Sequence, residues 1–277
     1  MPAKDIAELL ACRFGEVPEL APEVAGVPLA EALAGRASCR AFAPRPVDVA
    51  LLRSLAALAL CAPSKSDLQQ ADIVLATDPE LRAALAATVP GQAWVAGTPA
   101  LLVVCGNNRR QRQVSEMRGR EFANDHLDAF FNAAVDGGIV LATLVLAAEA
   151  AGLGACPISG LRDRPEEVSD LLGLPAHVFP LAGLALGYPV REGRISPRLP
   201  LEVTVHENRW SEAGTAGRMA AYDARRRELQ PYASQRGLDR FGEVSDYGWL
   251  EDKARQYAEP QRADFGAFVR RRGFRLD

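Results

Sequence analysis

Arg36, Ser38 and Arg40 place two guanidiniums and a hydroxyl within five residues. Each guanidinium is a planar fork of donors that meets phosphate oxygens in two-point contacts, and the hydroxyl can serve a third oxygen. Gly35 precedes this segment, and Pro44 and Pro46 follow it, so it is expected at a turn near the surface. Three further segments carry ligand-type chemistry. Ser64, Lys65 and Ser66, with Gln69 just beyond, offer hydroxyls, an ammonium and an amide suited to the carbonyl oxygens and ring nitrogens of a planar heterocycle. Pro157, Ile158, Ser159 and Gly160 form a small-residue loop after an apolar run, where backbone can approach a flat ligand closely. Arg198, in Ser196-Pro197-Arg198-Leu199-Pro200, could add a third guanidinium to an anion. Taken singly, each segment is also what a solvated turn, a helix end or a proline-rich linker contains. Together they suit one small phosphorylated ligand with a flat ring.

The usual catalytic constellations are missing. No G-x-S-x-G elbow and no C-x-x-C pair occurs, and the glycine pair Gly152 and Gly154 follows a helical segment instead of opening one. The five cysteines (Cys12, Cys39, Cys61, Cys105, Cys156) and three histidines (His126, His177, His206) are scattered without metal-ligand spacing, so no metal site is expected. If the chain is an enzyme, a bound cofactor carries its chemistry. A net charge of −3 argues against a broad nucleic-acid surface, which needs excess positive charge. The longest apolar run, residues 137–148, is shorter than the ~20 residues of a membrane helix. Unpatterned thiols and the lack of a visible secretory signal suit a cytoplasmic protein.

Several elements must position these segments. Helical spacing covers residues 47–60, with Asp48 as the capping acid. Strands are expected at 73–76, 100–105, 156–159 and 181–186, the second as a continuous buried run. Helices are expected at 79–87, 122–153 and 164–172, the long middle one apolar nearly all round and therefore central. The polar stretch 107–119 is expected outside. Residues 1–30 look like a loosely packed N-terminal extension, and the charged end of the chain suggests amphipathic helices at 213–229 and 250–272. The fold class is α+β (mixed α/β) with a helical C-terminal excursion. The expected division is extension 1–30, core 31–205 and excursion 206–277, forming one structural domain overall.

Taken in order, these segments resemble the FMN-dependent nitroreductase family, and most of all its NADPH-preferring branch of oxygen-insensitive nitroreductases and flavin reductases. R-A-S-C-R-A-F at 36–42 stands in the place of a basic-x-Ser-x-Arg-x-aromatic opening. A-P-S-K-S-D-L-Q at 62–69 is similar to a Ser-rich flavin loop, and G-Q-A-W-V-A at 91–96 to a segment that contributes a glutamine. A-A-E-A-A-G-L-G-A-C-P-I-S-G-L-R at 147–162 resembles the helix and loop beneath the flavin ring. L-G-Y-P, S-P-R-L-P and V-H-E-N follow at 186–189, 196–200 and 205–208. Pro157 and Ser196 depart from the pattern, standing where relatives often carry a larger residue and a lysine. The stretch 236–249 also differs in length and composition from its usual counterpart.

The resemblance implies FMN held at a homodimer interface by a nitroreductase-like sheet flanked by helices. By position, Arg36, Ser38, Arg40 and Arg198 would bind the FMN phosphate and ribityl chain. Ser64, Lys65 and Ser66, with Gln69, would lie along the flavin, and Gln92 would reach its polar edge. Pro157, Ile158, Ser159 and Gly160 would line the ring near N5. Arg236 and Arg262 fall nearest the arginines that hold the 2′-phosphate of NADPH, with NADH a possible co-substrate. The implied reaction is ping-pong: hydride passes from NAD(P)H to flavin N5, then two electrons pass to a nitroaromatic, quinone or free flavin. No side chain is needed as a nucleophile; a cation such as Lys65 or Arg40 would stabilise negative charge on the reduced flavin. Alternatives are a specialised flavoenzyme of the same fold (reductive dehalogenation or flavin fragmentation), with 107–125 as its lid, or a flavin-binding sensor without turnover.

Overall fold

The computed structural model describes residues 5–17 and 20–277. Along the chain, helices α1 (Ile6–Phe14), α2 (Pro28–Gly35) and α3 (Val49–Ala59) precede strand β1 (Ala71–Ala76). Helix α4 (Pro79–Ala87), strand β2 (Ala100–Asn107) and helices α5 (Arg109–Met117) and α6 (Leu127–Ala150) follow. Strand β3 (Gly154–Ile158), helix α7 (Pro165–Leu171) and strand β4 (Val178–Gly187) complete the sheet-bearing part. Beyond it come α8 (Leu201–Thr204), α9 (Thr215–Leu229), α10 (Leu238–Phe241), α11 (Trp249–Tyr257) and α12 (Phe265–Arg271).

Local chemistry sets the helix starts. The carboxylates of Asp5, Asp48 and Asp78 accept from the backbone N–H groups of Glu8, Ala50 and Glu80, satisfying donors that have no partner in the first turn. Pro79 occupies the first position of α4, where its missing N–H costs nothing.

The chain clusters into two compact units. One joins residues up to Ala37 with Arg194–Gln261; the other joins Ser38–Gly193 with Arg262–Asp277. The extension and the excursion thus contribute to a common unit, and the last helix returns to the sheet-bearing one.

In the sheet-bearing unit the four strands run in the order β1-β2-β4-β3, each pair antiparallel. All eight residues of β2 are buried, so both faces of the sheet are covered. Strand alternation then sorts its side chains. Ala100, Leu102 and Val104 join a cluster with Leu52 and Leu55 of α3 and Val140, Leu144 and Ala148 of α6. Leu101, Val103 and Cys105 join the opposite cluster with Leu85 of α4 and Val168 of α7. By length and composition α6 could cross a membrane, yet Ala133, Leu144 and Ala148 are wholly buried. A third cluster ties Ala133 and Phe179 to Phe268, Val269 and Phe274 at the end of the chain.

Three expectations need correction. The helix expected over 250–272 is two helices, because Pro260 in the connection lacks the N–H a continuous helix needs, and Arg262 adopts φ +55°. The stretch 107–119 is not simply outside: it holds α5, and Asn107 and Asn108 are 8% and 2% exposed. Residues 1–30 include α1 and the start of α2, with Ile6 and Arg13 buried; residues 1–4 and 18–19 of that stretch lie outside the described residues.

Candidate active site

The loop from Ser64 to Gln70 is bent to an unusual degree. Ser66, Asp67 and Gln69 have φ of 49°, 58° and 52°, a left-handed conformation that non-glycine residues hold only when their surroundings enforce it, at about 1–3 kcal/mol each. The enforcing group is Asp136, 2% exposed on α6. Its carboxylate accepts from Ser64 Oγ (2.7 Å), from the Lys65 backbone N–H (3.1 Å) and from the Gln70 backbone N–H (3.2 Å). Ser64 Oγ in turn accepts from the Gln69 N–H at 2.7 Å. The Ser64 hydroxyl is therefore a pin within the loop. Lys65, Ser66 and Gln69 are left exposed on its outer side.

Lys65 and Gln69, but not Ser66, border a cavity of about 600 Å³ between the loop, α5 and the chain entering α6. Such a volume accommodates a small organic ligand. Gln70 and Asn108, joined side chain to side chain at 3.1 Å, lie in its wall with Gln111. Gln70 Nε2, Asn108 Oδ1 and Gln111 Oε1 are buried without hydrogen-bond partners. Lys65 Nζ stands 3.9 Å from Asp128 in the same wall, with both side chains about half exposed.

Two segments singled out in the sequence meet in this unit. Gly160 is buried, and a Cβ there would come within 2.5 Å of Val89 and 3.1 Å of the Gln92 amide nitrogen. Gln92 thus sits directly against the 157–160 loop, which only glycine permits. Pro157 and Ser159 are exposed, whereas Ile158 is packed in the core, leaving its backbone alone to face a ligand. Arg262 donates to Asp163 at 2.6 Å, three residues beyond Gly160. Burial, then the nearby Arg262 charge, lowers the pKa of Arg162, whose guanidinium donates to the Leu181 carbonyl. Ser38 and Arg40 flank buried Cys39, whose N–H bonds the Ala155 carbonyl at 3.0 Å. This short extended segment is thereby laid along β3.

In the other unit, Arg36 and Arg198 are brought to a common anchor. Arg13 donates to the Arg36 carbonyl at 2.7 Å, and its own carbonyl accepts the Arg198 N–H at 2.7 Å. Arg236 lies in this unit too. Its Nε is 3.6 Å from Asp252, and its carbonyl accepts from Arg255 at 2.9 Å.

Sequence reasoning missed Asp136, Arg13, Gln70, Asn108 and Asp163. Asp136 left a trace, being an acid directly before the apolar run 137–148 of α6. Arg13 left none, because its partners are backbone carbonyls.

Likeness to known proteins gives the chain its family. Residues 33–188 match the Nitroreductase family and residues 196–277 its C-terminal domain. The chain belongs to the nitroreductase family. It is 38% identical to an oxygen-insensitive NADPH nitroreductase of Salmonella typhimurium, over 66% of this chain and 75% of that one. It is 28% identical to an FMN reductase (NAD(P)H) of Bacillus subtilis, over 89% of this chain and 98% of that one. Among solved structures it is similar to the NADPH:FMN oxidoreductase from Vibrio harveyi complexed with NAD+. That likeness has a TM-score of 0.75 and 30% identity, over 88% of this chain and 97% of that one.

Proposed function

We propose that this chain is an FMN-dependent NAD(P)H oxidoreductase, working as a cytoplasmic homodimer and reducing nitroaromatics, quinones or flavins. The observation that carries the reading is the 64–70 loop. It is bent against its backbone preference and fixed from behind by Asp136, and it borders a cavity with Gln70, Asn108 and Gln111 in its wall. The relatives named for FMN and NADPH supply the cofactor and the electron donor.

Bound FMN supplies the two-electron chemistry at its N5. The protein's part is to bind, orient and stabilise charge. Segment 36–40 and Arg198 hold the phosphate and ribityl chain through charge-assisted hydrogen bonds. Lys65, Ser66 and Gln69, together with Ser64 as their pin, lie along the ring. Gln92 would meet its polar edge and the backbone of 157–160 would line it near N5, with Gly160 allowing Val89 and Gln92 to pack close to that loop. Lys65 and Arg40 would supply positive charge beside the bound ring.

Support for the homodimer comes from α6. Leu127, Phe131 and Val135 are 51%, 58% and 41% exposed at four-residue intervals, and nothing lies within 4 Å above Gly138 in the next turn. This apolar stripe is suited to a second copy of the chain. Five free thiols suit a reducing compartment.

Arg262 and Arg236 are the reading's candidates for the 2′-phosphate of NADPH. The test is anaerobic titration of the flavin-loaded protein with NADPH and NADH, beside Arg262→Ala. Bleaching of the flavin band by NADPH is expected. In Arg262→Ala the KM for NADPH should rise about tenfold while that for NADH holds, the size of one lost charge-assisted contact. Equal changes for both nucleotides would remove Arg262 from the nucleotide site. A flavin that neither nucleotide bleaches would overturn the oxidoreductase.

A further inference from the structure

We infer that Arg13, in a segment that precedes the family match, is a positioning residue for the cofactor's phosphate clamp. The inference rests on the reading that Arg36 and Arg198 bind the FMN phosphate. The nitroreductase match begins at residue 33, so nothing in it assigns a role to α1.

Arg13 is 8% exposed and uses every part of its fork. Nε and Nη2 donate to the Ala34 carbonyl at 3.2 and 2.9 Å, Nη2 also to the Arg36 carbonyl at 2.7 Å, and Nη1 to the Ser196 carbonyl at 3.5 Å. The carbonyl of Ala34 belongs to the last turn of α2, which lacks helical partners for such groups. Arg13 caps that end, and the chain leaves it at Arg36 in an extended conformation, ψ 141°. Its backbone carbonyl meanwhile takes the Arg198 N–H at 2.7 Å. One side chain and one carbonyl therefore set the backbone at both proposed phosphate-binding arginines, which stand 162 residues apart in the sequence.

Arg13 is itself held in place. Arg225 of α9 donates to the carbonyls of Ala11 and Cys12 at 3.2 and 2.8 Å, capping α1. Glu16 accepts the Leu201 N–H at 3.1 Å. Gly15 ends α1 at φ +85°, and a Cβ there would lie 2.8 Å from the Arg225 guanidinium carbon. The backbone conformation favours glycine, and a Cβ would press on the Arg225 guanidinium that caps α1. Lysine would bring one donor nitrogen where three guanidinium nitrogens of Arg13 serve the carbonyls of Ala34, Arg36 and Ser196.

The distinguishing measurement is binding of FMN against riboflavin, which has the ring and ribityl chain but no phosphate, to the flavin-free protein. Arg13→Ala and Arg13→Lys should both weaken FMN about tenfold or more and leave riboflavin within about twofold. Gly15→Ala, which keeps Arg13 but unseats α1, should show the same selective loss. Arg36→Ala and Arg198→Ala test the underlying reading with the same pair of ligands. If those two lose FMN selectively while Arg13→Ala and Gly15→Ala do not, the positioning role is overturned and the phosphate reading stands. Equal weakening of both ligands by Arg13→Ala would mean a general structural role and would also overturn the inference. If no arginine variant discriminates between the ligands, the phosphate reading itself is wrong.

Discussion

The two units are built by different physics. All three apolar clusters belong to the sheet-bearing unit, where Leu102, Val104, Leu144 and Leu184 are fully buried. Among the described residues, the unit that joins α1 and α2 to α8–α11 has few buried apolar side chains: Ile6, Ala34, Pro197 and Tyr222. Its interior is polar. Arg13, Asp223, Asp252 and Arg255 are buried there, and its long contacts run from guanidiniums to backbone carbonyls. Apolar packing is tolerant of chemistry but sensitive to volume. A polar interior is sensitive to each donor, because any unmet partner carries its desolvation penalty.

The contrast can be broken most forcefully in the sheet. Leu184→Ala removes a wholly buried side chain of β4 and should lower the unfolding free energy by about 2–5 kcal/mol in urea titration. A loss under about 1 kcal/mol would mean that the cluster closes around the gap and is not the tight core described.

Arg255→Met should sharpen the comparison at a smaller scale. Arg255 is 3% exposed and donates to the carbonyls of Arg236 and Gly242, both at 2.9 Å, and to Glu251. Methionine keeps much of the bulk and leaves both carbonyls unmet. The expected effect is about 2–3 kcal/mol in opening of α11, seen as faster amide exchange there with β2 unchanged. Faster exchange in β2 as well would show that the units open together.

The smallest effect is electrostatic. Burial first, and then the Arg112 charge, lower the pKa of His177, whose ring N–H donates to the Gly273 carbonyl at 2.9 Å. With the folded value below an unfolded value of about 6.5, the unfolded chain binds the proton more readily. This contribution is complete above that unfolded value and is lost as pH falls through the folded one. Asp125, lowered chiefly by its hydrogen bond from Arg112, acts in the same sense in the acid range below about 4. His177→Gln should therefore flatten the fall in Tm between pH 7 and pH 5. An unchanged slope would assign the acid sensitivity to other groups.

What was legible in the sequence follows the same division. The α4 bounds agree with the capping signal of Asp78 and Pro79, and β2 shows itself as an apolar run, because burial leaves a period or a block. α5, with its sequence RRQRQVSEM, has no apolar stripe to betray it. The site divides likewise. Ser64, Gln69, Gln92 and Gly160 are visible by type, while Asp136, which fixes the loop of the first two, gains that role only when the chain is folded. Arg13 is the extreme case, since its partners are carbonyls that every residue possesses.

Because Asp136 and Ser64 hold the 64–70 loop with bonds internal to the chain, its shape exists before any ligand arrives. The ordering entropy is met during folding and not during association. If flavin is captured at this wall, as proposed, no slow rearrangement is needed, and the capture rate should rise in proportion to flavin concentration without a plateau.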